Sequence, residues 1–231
     1  SGCSIEQSAA AVTITCGDDV VVIPLGGGSS EGGDDVVVDP EKVALSLDSV
    51  SGYSQKGPFL SGSKVLVKEL SDGRTLLQTG NTFDGKIMND NGQFKINARM
   101  LVSQYIMLQA SGYYRNEITG RNSESELTLL AITDADARNI VNINLLTHLE
   151  YDRVIYLVTN EKMTVKAAKK QAEKEIFDFL HIDATGFSNS EDLNIAGSSD
   201  EDGALLAFSI MMQGSRTVAE LTELLTKITN D

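Results

Sequence analysis

The period of the hydrophobic pattern changes once along the chain, near residue 140. Before that point, short apolar runs such as Lys64–Leu70 and Gln93–Asn97 are bounded by turn residues, as is typical of β-strands. After it, apolar residues recur every three or four positions, beginning at Leu145 and again at Val165, which indicates amphipathic helices. Strands followed by helices predict an α+β fold, with a β-sandwich at 42–138 and a helical carboxy-terminal domain at 139–231.

Capping residues predict where the helices begin. Thr164 is a plausible N-cap, and Ser198 with Glu201, like Thr217 with Glu220, has the spacing of a capping box. The polar turn at 89–92, which ends in glycine, predicts a hairpin between the strands on either side of it.

The first 41 residues differ in composition from the rest of the chain. They contain eight acidic residues and neither lysine nor arginine, so they carry −8 of the net charge of −14. A glycine-rich run at 26–33 and Pro40 then separate them from a conventional globular composition. The sequence therefore predicts a separate segment at 1–41, made of a disulfide hairpin, a strand and a flexible linker. The acidic residues are Glu6, Asp18, Asp19, Glu31, Asp34, Asp35, Asp39 and Glu41.

Both cysteines lie in this segment, and two interpretations compete. Residues 1–4 look like the end of a bacterial lipobox, in which Cys3 would be lipidated and Cys16 left unpaired. Alternatively, a hairpin through the alternating residues 12–15 brings Cys3 opposite Cys16 in a disulfide. The even count and the spacing favour the disulfide, which implies an oxidising compartment. Two free thiols are the third possibility.

The run at 20–23 (Val20, Val21, Val22 and Ile23) is apolar at every position, and so is the run at 36–38. Such strands need a sheet on which to pair. Because a glycine-rich tether follows residues 20–23, this extended strand either folds back on its own molecule or adds to a sheet edge of a neighbour. Strand donation of this kind predicts self-association.

Composition excludes several partners. A net charge of −14 repels the phosphates of nucleic acids and anionic lipid head groups. The longest nearly unbroken apolar run, at 205–212, is too short to span a bilayer, so direct membrane insertion is not expected.

Three motifs carry a resemblance to known proteins. They read GYSQKGPF at 52–59, GYYRNEITG at 112–120 and VNINLLTHLEYDRV at 141–154. In this order they resemble an uncharacterised family of secreted or lipid-anchored surface proteins of Gram-negative bacteria, over about residues 50–231. Residues 89–94 also resemble the hairpin of carboxypeptidase-regulatory-like sandwiches. The resemblance implies an extracellular or outer-surface location and no established activity.

The third motif also supplies the best candidates for chemistry. His148 lies one helical turn from Asp152 and could act as a base in a hydrolase, with Ser54, Ser61 or Ser63 as the nucleophile. Without a Gly-x-Ser-x-Gly elbow, a structural role at the junction of sandwich and helices is favoured, with His148 donating to buried carbonyls. We group it with Asn142, Asn144, Glu150, Arg153 and Glu117 as structural junction residues, with Arg153 pairing with Glu150 or Glu117 to lock the two domains.

Ligand sites give weaker signals. Oxygen-bearing side chains at 134, 136, 142 and 144 suit calcium, but their spacing is not that of an EF-hand, so no metal and no cofactor is predicted. Tyrosines and Phe59 in the sandwich could stack on a sugar, although core packing explains them equally well.

These observations predict a non-enzymatic structural or adhesive protein of the bacterial cell surface, and in the fullest form of the hypothesis a filament subunit assembled by strand donation. The alternatives are a carbohydrate or small-ligand binding module and a hydrolase that uses His148. The expected partners are further copies of the chain and a surface glycan or protein ligand.

Overall fold

The structure, a computed structural model, describes residues 47–99, 101–136 and 138–230, together with the backbone of three strands nearer the amino terminus. The chain divides into two compact units, Ser1–Glu41 and Lys42–Asp231. The range predicted to be a sandwich, 42–138, and the range predicted to be helical, 139–231, both lie in the second unit. Each unit is described separately below.

The first unit contains an antiparallel sheet of three strands in the order β1-β2-β3, with β1 at Ser4–Gln7, β2 at Ala11–Cys16 and β3 at Asp19–Pro24. Residues 20–23 lie in β3 and pair with β2. They therefore form the edge of a small sheet rather than a lone extended strand, because a neighbouring strand in their own unit already occupies one side.

The predicted hairpin ahead of Cys16 is present. β1 pairs with β2 so that Ser4 lies opposite Thr15, next to Cys16. Cys3, the linker at 26–33 and the apolar run at 36–38 lie outside the described residues, so the disulfide stays a prediction.

The second unit contains two sheets. In the first, four antiparallel strands follow the order β6-β5-β8-β9. In the second, β4 pairs antiparallel with β7 and parallel with the short β10. The strands are β4 (Ser49–Gln55), β5 (Lys64–Leu70), β6 (Gln78–Lys86), β7 (Gln93–Asn97), β8 (Tyr105–Gly112), β9 (Leu127–Asp134) and β10 (Ile143–Asn144).

The turn at 89–92 reverses the chain as predicted, since the Met88 N–H donates to the carbonyl of Gln93 at 2.7 Å, but the strands on either side of it do not pair in one sheet. β6 belongs to the four-stranded sheet and β7 to the three-stranded sheet, so the turn connects two sheets. Gly92 has a φ of 82° and a side chain there would meet the carbonyl oxygen of Ser54 at 2.3 Å. Glycine is thus required by both backbone conformation and close packing.

Four helices follow the strands: α1 at Leu145–Thr159, α2 at Val165–Phe179, α3 at Asp200–Gln213 and α4 at Val218–Asn230. Thr164 caps α2 as predicted, and Thr217 exchanges the predicted hydrogen bonds with Glu220. The capping box of α3 lies one residue later than predicted, at Ser199 and Asp202. None of the helices among the described residues is long and apolar enough to cross a bilayer.

Helices and sheets share their cores, and the α+β class is confirmed. One cluster contains residues from both sheets and all four helices, including Val67, Phe94, Leu149, Phe208 and Leu221. A second cluster packs α1 and α2 on the four-stranded sheet. Sheets and helices therefore bury a common apolar surface, which explains why 42–231 forms one unit.

Candidate functional site

Asn142 and Asn144 fix the point where β10 becomes α1. Asn142 accepts a hydrogen bond from the backbone N–H of Tyr53 at 3.0 Å and donates to the carbonyl of Leu193 at 3.0 Å. Asn144 caps α1 by accepting from the backbone N–H of Thr147 and donates to the carbonyl of Ser190 at 2.7 Å. Both amides are buried and join three segments that are distant in sequence.

Glu150 lies at the centre of a buried charge cluster between α1, α2 and the short 3-10 helix Ser190–Asp192. Its Oε1 accepts from Lys169 Nζ at 2.8 Å and from Ser190 Oγ at 2.5 Å. Lys169 Nζ also lies 2.9 Å from Glu191 Oε2, at ion-pair distance. Arg138 reaches Glu191 Oε1 from the partly exposed side at 3.3 Å. We call these residues the Lys169 cluster.

The pKa values in the Lys169 cluster follow from burial and opposite charge. Burial alone would lower the pKa of Lys169, but Glu150 and Glu191 hold it well above its ordinary value. Burial raises the pKa of Glu150, which has only one basic neighbour. The pKa of Glu191 is lowered despite its burial, because Lys169 and Arg138 both stabilise its charge. The Lys169 ammonium and the Glu191 carboxylate are therefore held ionised.

His148 is half-buried on α1, and its Nδ1 is buried with no hydrogen-bond partner. Among the described residues no carbonyl accepts from this imidazole, so the predicted donor role has no contact to support it. Burial lowers the pKa of His148 to about 4, which keeps the ring neutral. Asp152, the predicted neighbour, is exposed on the same helix.

The three candidate serine nucleophiles make other contacts. Ser54 is fully buried, Ser61 Oγ donates to the carbonyl of Met88 and Ser63 Oγ donates to that of Tyr113. The structure brings none of them to His148 by a hydrogen bond. It therefore assembles no nucleophile and base pair among these residues.

Arg153 does not lock two domains through Glu150 or Glu117. Its guanidinium makes two hydrogen bonds to Glu175 on α2, at 2.7 and 2.8 Å, and stacks 5.4 Å from the ring centre of Tyr156. Glu150 turns inward to Lys169, while Arg153, three residues later, lies on the exposed side of α1. The expected pairing was wrong because these two side chains lie on different sides of one helix.

Glu117 belongs to a second buried cluster, which sequence reasoning did not find. Its Oε1 lies 2.5 Å from Lys56 Nζ and accepts from Ser209 Oγ on α3 at 2.5 Å. Lys56 is fully buried and its ammonium lies 5.4 Å from the ring centre of Tyr114. In the sequence, the one indication of this contact is that Lys56 lies in the motif at 52–59 and Glu117 in the motif at 112–120. We call these residues the Lys56 cluster.

The aromatic residues do not form a flat exposed platform. Phe59 and Tyr114 are buried and stack with ring centres 6.2 Å apart. Tyr114 donates to Gln213 on α3 at 2.8 Å, and burial raises the pKa of its hydroxyl to about 12. Tyr113 is 45% exposed. Core packing therefore accounts for most of the set.

A groove of about 940 Å³ lies between the four helices, and we call it the helical groove. Its apolar side includes Phe179 and Met211, which are 76% and 54% exposed. Its charged side includes Arg153 with Glu175, and Asp152, which has no ion-pair partner among the described residues. The volume lies in the range of small-molecule sites. The groove is also lined by Tyr156, Ile176, Phe208 and Met212.

The predicted oxygen ligands for calcium are used in other ways. The side-chain oxygens of Asn142 and Asn144 accept backbone N–H groups, and Asp134 accepts from Gln104 at 2.8 Å. In the part of the chain that the structure describes, no group of three histidine, cysteine or acidic side chains is placed to hold a metal ion.

Comparison with known proteins identifies no relative: no family model, no curated protein and no solved structure matches the chain.

Proposed function

We propose that this chain is a non-enzymatic structural or adhesive subunit of a bacterial cell surface and that it self-associates through the edge of β3 that no described strand pairs with. The observation that supports this proposal is the register of the amino-terminal sheet. Cross-strand rows alternate between apolar and more polar, because Ile5, Ile14 and Val21 form one row while Glu6, Thr13 and Val22 form the next. Alternate rows belong to opposite faces of a sheet.

A sheet of three strands needs a layer that covers its apolar face and protection for its edge strands. Three strands are the minimum for an independently stable sheet, and a unit of 41 residues lies near the lower size limit for folding alone. β3 lies at the edge of that sheet, and its central residues are all apolar. Natural proteins protect such edges by pairing or by charge. Pairing β3 with an edge of a neighbouring molecule would meet this need and produce a chain of subunits.

The location and the architecture belong to the same proposal. The cysteine count, the acidic charge and the surface-protein resemblance favour an extracellular or outer-surface location. We propose that the two sheets of the second unit are the layers of a β-sandwich, and the apolar cluster to which both contribute supports this arrangement. A surface glycan or protein is the partner that an adhesive subunit of this kind would bind.

Removal of residues 1–41 tests the proposal. The second unit has its own cores, so the shortened chain should fold, with the secondary structure expected for 42–231 by circular dichroism. Light scattering should show oligomers for the full chain and a monomer for the shortened chain. A full-length monomer at high micromolar concentration would contradict self-association.

A second candidate function is the binding of a small amphiphile in the helical groove, which the volume and the exposed apolar side chains favour. Asp152 is a carboxylate without an ion-pair partner among the described residues, whereas Arg153 is already held twice by Glu175. The charge at this side therefore suits a ligand with an apolar body and a cationic head group.

Calorimetric titration with a short-chain alkyltrimethylammonium, below its micelle concentration, tests this second function. Asp152→Asn should weaken binding by roughly three- to tenfold, since it removes the charge that faces the head group. Asp136→Asn, which neutralises an exposed carboxylate outside the groove, should leave the affinity unchanged. Equal binding of an alkyl sulfate would overturn the assignment of a cationic ligand.

A further inference from the structure

Two of the lysines that the structure describes are buried, and their surroundings differ. Lys169 Nζ has three oxygen neighbours, at 3.1 Å from Ile132 O, 2.8 Å from Glu150 Oε1 and 2.9 Å from Glu191 Oε2. An ammonium group has three N–H donors, so this environment matches a charged lysine. Glu150 Oε2 is buried without a hydrogen-bond partner here too, so the Lys169 cluster differs from the Lys56 cluster in the number of oxygens that surround Nζ.

Lys56 lacks such an environment. Its side chain is fully buried, yet Glu117 Oε1, at 2.5 Å, is the one acceptor that the described residues offer to Nζ. The opposite oxygen, Glu117 Oε2, is also buried and has no hydrogen-bond partner. As an ion pair, the two side chains would leave two N–H groups and one carboxylate oxygen unsatisfied. Buried polar groups without partners strongly disfavour such an arrangement.

We propose that Lys56 and Glu117 are joined by an isopeptide bond between Nζ and the side-chain carboxyl carbon of Glu117. An amide has one N–H and one carbonyl oxygen, so the bond removes both charges and the surplus donors. The retained oxygen, Oε1, accepts a hydrogen bond from Ser209 Oγ at 2.5 Å. The oxygen that leaves is Oε2, the atom that has no partner in the structure.

The reaction balances without any co-reactant. A proton passes from the Lys56 ammonium to the Glu117 carboxylate, which gives a neutral amine and a carboxylic acid. The Nζ lone pair attacks the carboxyl carbon, the bond from that carbon to Oε2 breaks, and Oε2 leaves as water with two protons from the former ammonium. Ser209 Oγ lies 2.5 Å both from the carbonyl oxygen of Lys56 and from Glu117 Oε1, and turning its one proton to Oε1 stabilises the negative charge of the tetrahedral intermediate.

Neighbouring residues favour this reaction. Burial lowers the pKa of Lys56 even though Glu117 opposes the shift, so the neutral amine is more accessible than in water. The stacked rings of Phe59 and Tyr114 give the site an apolar side.

The backbone holds the two reacting segments in place. Arg115 N–H donates to the carbonyl of Pro58 at 2.9 Å, and Leu60 N–H donates to that of Tyr113 at 2.9 Å. A side chain at Gly57 would meet the Arg115 carbonyl oxygen at 1.7 Å, so glycine permits the close approach. Groups fixed in contact react with a high effective concentration, and here they are separated by 61 positions in sequence.

Intact mass of the full-length protein tests the bond directly. After overnight incubation at neutral pH, denaturation and reduction, the protein should be lighter than its sequence by one water, about 18 Da. Tryptic digestion should yield the peptide 43–64, uncut at Lys56, linked to the peptide 116–121. Fragment ions should place the link on Lys56 and Glu117.

Two controls make the result decisive. Lys56→Arg retains a positive charge but lacks the amine, so its mass should equal that of its sequence. In the natural chain the peptides that carry Lys169 and Glu150 should be recovered unlinked, because that lysine is satisfied as an ion. Full sequence mass of the natural protein, with peptides 57–64 and 116–121 recovered free, would overturn the proposal and leave Lys56 as a buried ion pair.

Discussion

At the scale of single residues, His148 makes the stability of the fold depend on pH. Burial lowers its pKa to about 4 in the folded protein, against an ordinary value of 6.5. Below pH 6.5 the unfolded chain therefore takes up a proton that the folded chain does not. The contribution of this residue to stability is present above pH 6.5 and is lost as the pH falls toward 4.

We expect the free energy of unfolding to fall by about 2 kcal/mol between pH 7 and pH 5 on account of His148. Urea denaturation at the two pH values measures it. His148→Leu should remove this part of the pH dependence, whereas His181→Gln, at an exposed histidine, should retain it. Equal pH dependence in the natural protein and His148→Leu would show that the imidazole titrates normally.

Lys169 gives a second prediction at this scale, because its removal leaves the buried Glu150 without a basic neighbour and leaves Glu191 with Arg138 alone. Lys169→Met should lower the free energy of unfolding by about 3 to 5 kcal/mol. Lys170→Met, which removes the exposed neighbour paired with Glu173, should cost less than about 1 kcal/mol. Chemical denaturation of both variants measures the difference. Similar small losses in the two would mean that the Lys169 cluster does not stabilise the fold.

The buried clusters also show what residue-level reasoning misses. Glu150 and Glu117 were placed at a structural junction from the sequence, but their partners, Lys169 and Lys56, were not identified. Lysine at positions 56 and 169 looks like any solvated charge in a sequence. Its burial depends on contacts with segments up to 153 positions away, as between Ser209 and the carbonyl of Lys56.

At the scale of elements, the close approach of β4 to the segment before β10 depends on Gly52. A side chain at this position would lie 2.0 Å from the carbonyl oxygen of Val141. Gly203 differs, since it lies exposed on α3 with open space around it. These two glycines form a matched pair for testing how the strands are held.

Gly52→Ala should lower the free energy of unfolding by about 2 kcal/mol or more, because the backbone of Val141 must move. Gly203→Ala should raise it by about 0.5 to 1 kcal/mol, since alanine favours the helix. Thermal and urea unfolding of the two variants measure both the expected loss and the expected gain in the free energy of unfolding. A stabilising Gly52→Ala would contradict the packing between β4 and Val141.

Local patterns predicted the elements better than their partners. The strands Lys64–Leu70 and Gln93–Asn97 and the caps of α2 and α4 follow from alternation and capping chemistry in the sequence. The turn at 89–92 looked like a hairpin because its own residues favour one. Sheet membership is set by pairing with β4 and β5, which a local pattern does not contain.

At the scale of the whole molecule, the change of hydrophobic period gave the α+β class. The helical groove and the charge clusters could not be predicted, because each combines residues of three or four elements. The residues with recognisable motifs mainly serve to join segments: Asn142 and Asn144 bind the loop after α2, and Glu117 binds Lys56. The motifs thus explain the fold more fully than they indicate an activity.

We propose that the edge of β3 that no described strand pairs with joins one molecule to the next. Lysines on an edge strand prevent edge pairing, so Val20→Lys with Val22→Lys should block assembly and leave the apolar row of Val21 unchanged. Thr13→Lys with Thr15→Lys is the matched control. Thr13 and Thr15 lie opposite Val22 and Val20, so the same charge enters the same cross-strand rows, but on β2, which is already paired on both sides.

The measurement is the native mass of these two full-length variants and the natural protein, by light scattering at matched concentrations. We expect oligomers for the natural protein and for the β2 variant, and a monomer for the β3 variant. Oligomers of equal size in all three would contradict assembly through β3.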